Sequence, residues 1–209
     1  AWAITLSTPH QVQVARSFGY RRIFLANQLV GAKAIDYVIS ELQRDPEFEF
    51  IFLVDDIENV EAIAKVASSK NLSRPLQVLV EIGYNGGRTG CRSVETALEL
   101  ARVVKRHVGH LSLSGIEGFE GLLKGTDHSD TLGLVNRFLD QMVSLARTCD
   151  EEELFGEDGV ILSAGGSAFY DVVAEKLGSA KLTKQTMILV RSGCYITHDS
   201  ILYAKAVAA

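Results

Sequence analysis

Seven short apolar runs rich in β-branched and aromatic residues recur along the chain, each separated from the next by a longer stretch with helical spacing. Alternation of this kind is the pattern of a parallel sheet whose strands are joined by covering helices. The spacing predicts strands over Ala3 to Ser7, Arg22 to Ala26, Phe50 to Val54, Gln77 to Ile82, Leu111 to Ile116, Val160 to Ser163 and Thr186 to Val190. An open doubly wound sheet uses about five or six strands and carries an early glycine-rich fingerprint. Seven units without that fingerprint fit an α/β architecture of the eight-stranded (β/α) barrel, or TIM, type that lacks its first strand. The text opens on Ala1 and runs almost directly into a strand, so a preceding segment is expected.

The helices between these strands announce their own ends. Thr8 is placed as an N-cap, Pro9 as the first helical residue and Gln11 as the partner in a capping box, giving a helix to about Phe18. Ala32 to Arg44 carries Ile35, Val38, Ile39 and Leu42 on one face, and Pro46 stops it. Asp56 and Ser93 cap the third and fourth helices. The longest helix is expected over about Thr131 to Cys149, with the acidic run Asp150 to Glu153 as its solvated end. One more follows Gly166, and a last one starts near Asp199.

With 209 residues, 47% of them hydrophobic and 22% charged, the chain reads as one globular barrel domain over residues 1–209. The net charge of −5 and the scattered Lys and Arg residues leave no basic footprint for nucleic acid. The apolar runs are too short to span a bilayer, and no basic n-region precedes an apolar h-region at the N-terminus. Cys91, Cys149 and Cys194 are widely spaced and odd in number, so free thiols and a reducing, cytoplasmic compartment are expected. The five histidines share no metal-ligand spacing.

In barrels of this architecture ligands sit at the C-terminal ends of the strands, and phosphate is commonly held by the loops after the last two. Here Ser163 runs into Ala164, Gly165, Gly166 and Ser167 before a helix, and the final strand runs into Arg191, Ser192, Gly193, Cys194 and Tyr195. Glycines let backbone N–H groups approach an anion, and a following helix N-terminus adds a favourable dipole. Either loop alone reads better as a tight turn with a Ser cap; two in succession favour a phosphate cup. Arg88 stands in the glycine-dense segment 83–90, where it fits a forked donor to a ligand oxygen as well as a plain surface arginine. Glu117 and Glu120 are candidate acids in the segment 115–121, although each taken singly suits a solvated or capping role.

Four stretches, Val78 to Gly90, Gly115 to Gly121, Ser163 to Ser167 and Arg191 to Asp199, together resemble the pyridoxal-phosphate enzymes of the alanine racemase barrel type, in particular the D-threonine aldolase and D-serine dehydratase group. The resemblance covers essentially the whole chain. It implies that Gly165, Gly166, Ser167, Gly193 and Cys194 bind the phosphate of pyridoxal 5'-phosphate with Ser163 beside them, that Arg88 meets the phenolic oxygen, and that Arg191 and Tyr195 lie near the ring or substrate. The group often has Tyr where this chain has Phe119.

The resemblance also implies a Schiff-base lysine on the first barrel strand. The nine lysines here fall in expected helices and their flanking loops, so that residue is expected outside this chain. It further implies a C-terminal β-domain with a divalent metal site, a homodimeric parent, and an amino acid of D or β-hydroxy type as substrate. A non-catalytic pyridoxal-phosphate-binding barrel, an amino-acid racemase and a barrel enzyme that binds a sugar phosphate are the alternatives.

Overall fold

A parallel strand buried on both faces reads as an unbroken apolar run, as the last five residues of Glu49–Val54 do. The computed structural model describes residues 1–165 and 168–193. It shows β1 (Ile4–Leu6), α1 (Pro9–Ser17), β2 (Arg22–Gln28), α2 (Ala32–Arg44), β3 (Glu49–Val54), α3 (Ile57–Ser68) and β4 (Leu76–Ile82). There follow α4 (Val94–Arg106), β5 (Leu111–Gly118), α5 (His128–Glu151), β6 (Val160–Ala164), α6 (Tyr170–Gly178) and β7 (Thr186–Val190). The described strands form one parallel sheet of seven in the order β1-β2-β3-β4-β5-β6-β7. All seven expected strands are present. The helix expected from Asp199 lies outside the described residues.

Strands that are not sheet neighbours meet across the inside of the curled sheet. Phe24 of β2, Ile51 and Leu53 of β3 and Leu79 of β4 form an inner cluster that also takes Ile161 of β6, Leu189 of β7 and Trp2. Arg191, just past β7, has its guanidinium carbon 5.4 Å from the Phe24 ring centre. The sheet therefore wraps into a partial barrel. Its outer face packs on the helices through a larger core that includes Phe52, Val78, Ile116 and Leu162.

The caps behave as their residues require. Thr8 and Gln11 form the reciprocal capping box of α1, and the side chains of Asp56 and Ser93 accept the N–H groups of Asn59 and Thr96. Some boundaries differ from expectation. Strand β5 extends to Gly118 because Glu117 and Gly118 pair with Ser163 and Ala164 of β6. Helix α5 begins at His128, where Asp127 accepts the N–H of Asp130. The acidic run closes α5 with Glu151, Glu152 and Glu153 exposed, as expected, and it also makes contacts: Asp150 accepts from the backbone and hydroxyl of Thr183, and Glu152 binds Arg102 with both oxygens. These contacts tie α5 to α4 and to the segment entering β7.

One irregularity sets the position of the functional groups. Along β5, Leu113 pairs with Val78, yet the next pairing is Gly115 with Leu79, so Ser114 is an extra residue and the strand changes phase there. Ile116 now points into the outer core and Glu117 points inward. Gly115 has φ of +156°, and a Cβ there would lie 1.8 Å from the Ile161 carbonyl oxygen, so no side chain fits. Gly115→Ala is expected to destabilise the chain by roughly 3 kcal/mol, measured by urea unfolding. A variant within about 0.5 kcal/mol of the parent would show that the bulge tolerates a side chain.

Candidate functional site at the strand ends

Register brings Glu81 of β4, Glu117 of β5, Ser163 of β6 and Leu189 of β7 into one row across adjacent strands. Arg191 follows Leu189 by two residues, the spacing that returns a strand side chain to the same face. Its Nε donates to Ser163 Oγ at 3.0 Å, and its Nη2 donates to Glu117 Oε1 and to the Gly118 carbonyl. The Ser163 hydroxyl in turn donates to the Leu189 carbonyl at 2.8 Å. Arg191 thus clamps the ends of β5, β6 and β7, and the hydroxyl of Ser163 is engaged in orienting it.

Glu117 and Glu120 are 1% and 0% exposed, which sets aside the solvated alternative for each and leaves them as buried acids. Arg191 satisfies only one oxygen of Glu117, and Oε2 is buried with no hydrogen-bond partner among the described residues. Burial pushes the Glu117 carboxyl up to about 7; Arg191 opposes that shift, while the neighbouring Glu81 adds to it. The other oxygen of the pair is therefore a place where a proton or an N–H donor can be held. Glu120 Oε2 accepts the backbone N–H of Gly165 at 3.1 Å, in the loop expected to cradle phosphate.

Glu81 interrupts the apolar run of β4 and points inward with Leu79. Gln28 Nε2 donates to it at 2.6 Å, and the Thr89 hydroxyl donates to its other oxygen. Burial raises its pKa, an effect that these two hydrogen bonds oppose. The Thr89 contact ties Glu81 to the Arg88 loop. That loop also closes through Gly83 N–H to the Cys91 carbonyl and Cys91 N–H to the Glu81 carbonyl, both at 2.8 Å. Gly90, at φ +88°, comes so near Gly83 that an added Cβ would be 2.5 Å from its nitrogen. Arg88 itself is exposed on the rim, its guanidinium carbon 4.9 Å from the Phe119 ring centre.

Of the expected site residues, Ser163, Gly165 and Arg191 meet at the inner end of the barrel, Arg88 sits at its rim, and Gly193 is exposed just beyond β7. Gly166, Ser167, Cys194 and Tyr195 lie outside the described residues. Sequence reasoning did not single out Glu81, Gln28 or Phe24. The usable signal was Glu81, the one charge inside Leu76–Ile82. Cys91 and Cys149 are free and buried, with burial pushing both thiols up to about 12, which keeps them unreactive. Among the described residues no helix is long and apolar enough to cross a membrane.

No protein-family model and no curated protein sequence matches the chain. Solved structures do. A D-threonine aldolase from Filomicrobium marinum superposes with a TM-score of 0.74 at 16% identity, over 100% of this chain and 52% of that one. D-threo-3-hydroxyaspartate dehydratase from Delftia sp. HT23 gives 0.62 at 18% identity, over 98% of this chain and 52% of its own length. An alanine racemase of Clostridium difficile 630 gives 0.60 at 15% identity, over 91% and 46%. The chain spans about half the length of these structures. They bear the names of the group that the motifs resemble, and the likeness to that group holds at the level of the barrel fold.

The row of buried acids makes folding depend on pH. Because the folded pKa of Glu117 lies above its ordinary 4.5, its stabilising contribution is complete below that value and is lost as pH rises to about 7. Glu117→Gln, which cannot ionise, should therefore show a flatter fall in Tm between these pH values than the parent, read by circular dichroism. Parallel pH profiles for the two proteins would contradict the assignment.

Proposed function

We propose that the chain is the barrel portion of a pyridoxal-phosphate-dependent lyase that acts on a D-configured or β-hydroxy amino acid by aldol cleavage or dehydration. The observation that carries this reading is the Glu81, Glu117 and Ser163 row, clamped by Arg191 beside the Gly165 loop at the C-terminal mouth of the barrel. The names of the structural neighbours support it. The residues fit the cofactor by chemical type. Gly165 already holds an anionic oxygen on its amide, and Glu117 Oε2 is a buried oxygen awaiting a donor.

In this reading Gly165 and Gly193, with Gly166, Ser167 and Cys194, hold the phosphate largely through backbone amides, while Ser163 acts through Arg191. Arg88, stacked on Phe119, would pair with the phenolic oxygen, and Phe119 would supply an apolar face and no hydroxyl. Glu117 Oε2 would hold a proton toward a ring nitrogen, with Arg191 fixing the carboxyl group. Tyr195 and the rim around Arg88 are assigned to the amino acid. Bound pyridoxal phosphate supplies the electron sink for bond breaking at the substrate's α carbon. Glu81 holds the Arg88 loop in place through Thr89.

The eight described lysines all lie in helices or the loops beside them, and with the resemblance we assign the amine that takes the α proton to a strand outside this chain. A divalent metal that activates the β-hydroxyl and a second copy in a homodimer belong to the same proposal. Titration of the chain with pyridoxal 5'-phosphate, followed by the shift in its visible absorbance, tests the cofactor assignment. Saturable binding is expected, weakened about tenfold by Arg88→Ala, the effect of losing one charge-assisted hydrogen bond. A chain that leaves the spectrum unchanged at every concentration would refute the reading.

A further inference from the structure

We infer that Glu120 is a displaceable internal anion: its carboxylate occupies the Gly165 amide that a ligand phosphate must take, and phosphate binds by driving Glu120 off it. The inference rests on the placement of an anion site at Gly165, and it adds a residue that sets the strength and selectivity of that site. Glu120 is 0% exposed, and its Oε2 lies 3.1 Å from the Gly165 nitrogen. A carboxylate oxygen and a phosphate oxygen make the same charge-assisted bond to a backbone N–H, so the two compete for one donor.

Two further features mark this amide as an anion position. The Gly165 backbone packs directly on the Arg191 guanidinium, to the point that an added Cβ would lie 2.8 Å from Arg191 Nη2. The cation therefore stands beside the donor. Gly165 is also in the loop after the penultimate described strand, where barrels of this type commonly hold phosphate. Charge makes joint occupancy costly. Glu81 and Glu117 are already buried in the same end of the barrel, and a phosphate dianion placed against Glu120 as well would add like charges at short range.

Glu120 has somewhere to go. It directly precedes Gly121 and Leu122, which are exposed, in the stretch between the end of β5 and the start of α5. A turn of the backbone at that point takes the carboxylate from the barrel to water. Ligands without an anionic group cannot drive this exchange, so Glu120 raises the selectivity of the site for phosphorylated compounds at the expense of affinity.

The test uses inorganic phosphate, by calorimetry, and pyridoxal 5'-phosphate and pyridoxal, by absorbance, on the parent chain, Glu120→Gln and Glu120→Asp. Both variants should bind inorganic phosphate roughly tenfold more tightly, the effect of removing one competing charged hydrogen bond. Glu120→Asp keeps the charge but shortens the arm, so a gain confined to Glu120→Gln would reduce the effect to charge removal and overturn displacement. Unchanged or weaker phosphate binding in folded variants would overturn it too. Pyridoxal, which has no phosphate, should bind all three proteins equally; an equal gain for pyridoxal contradicts the inference.

The two proposals fail separately. Tighter inorganic phosphate binding with no pyridoxal phosphate binding would reject the cofactor reading and uphold displacement. Equal pyridoxal phosphate binding by all three proteins would do the reverse. Should either variant melt early, hydrogen exchange on the parent chain decides: residues 120–126 should lose protection when phosphate binds, and unchanged protection there rules displacement out.

Discussion

An added Cβ at Gly115 would meet the Ile161 carbonyl oxygen at 1.8 Å, and much of the site depends on that lack of room. A regular β5 would continue the face of Leu111 and Leu113 through residue 117, placing Glu117 among the helices. The extra residue at Ser114 reverses the alternation, so Ile116 joins the outer core and Glu117 enters the barrel in register with Glu81 and Ser163. A local defect in one strand thereby moves a carboxyl from one face of the sheet to the other. Only a glycine lets the two backbones come close enough to permit it.

Once Glu117 is inside, charge balance governs the strand ends. Glu81, Glu117 and Glu120 are all buried there, while Arg191 is the cation that bonds directly to this row and Arg88 acts on it from the rim. Buried carboxylates that lack a full set of partners are stable only when protonated, hydrogen-bonded or met by a ligand. The three acids use these means differently. Glu81 takes neutral donors from Gln28 and Thr89, Glu117 shares Arg191 and is pushed toward protonation, and Glu120 accepts a backbone amide. An end of a barrel with this much polar capacity, closed below by Phe24, Leu79, Ile161 and Leu189, is arranged to receive a polar ligand.

Much of the architecture was legible because it depends on short-range rules. Helix starts at Thr8, Asp56 and Ser93 follow from side chains that satisfy free N–H groups within three residues. The strands follow from apolar runs, and their number pointed to a barrel. The loops bearing Arg88, Gly165 and Arg191 were legible as site segments because a barrel puts the ends of successive strands together. Less legible was what those residues do once assembled. The Ser163 hydroxyl turns to Arg191, the Gly165 amide to Glu120, and Glu81 to a glutamine 53 positions earlier in the chain.

The sequence by itself determined the order of strands and helices, the caps that bound them and the loops that could gather at one end, since each depends on residues close together in the chain. Tertiary structure decided the phase of β5, the burial of Glu117 and Glu120 and the partner of every charge in the row. These rest on contacts between strands whose spacing along the chain carries no periodic signal. Glu117 looks like a solvated acid in a glycine-rich loop when read along the chain. It becomes an interior proton-holding group because Gly115 has no side chain to keep β5 away from Ile161.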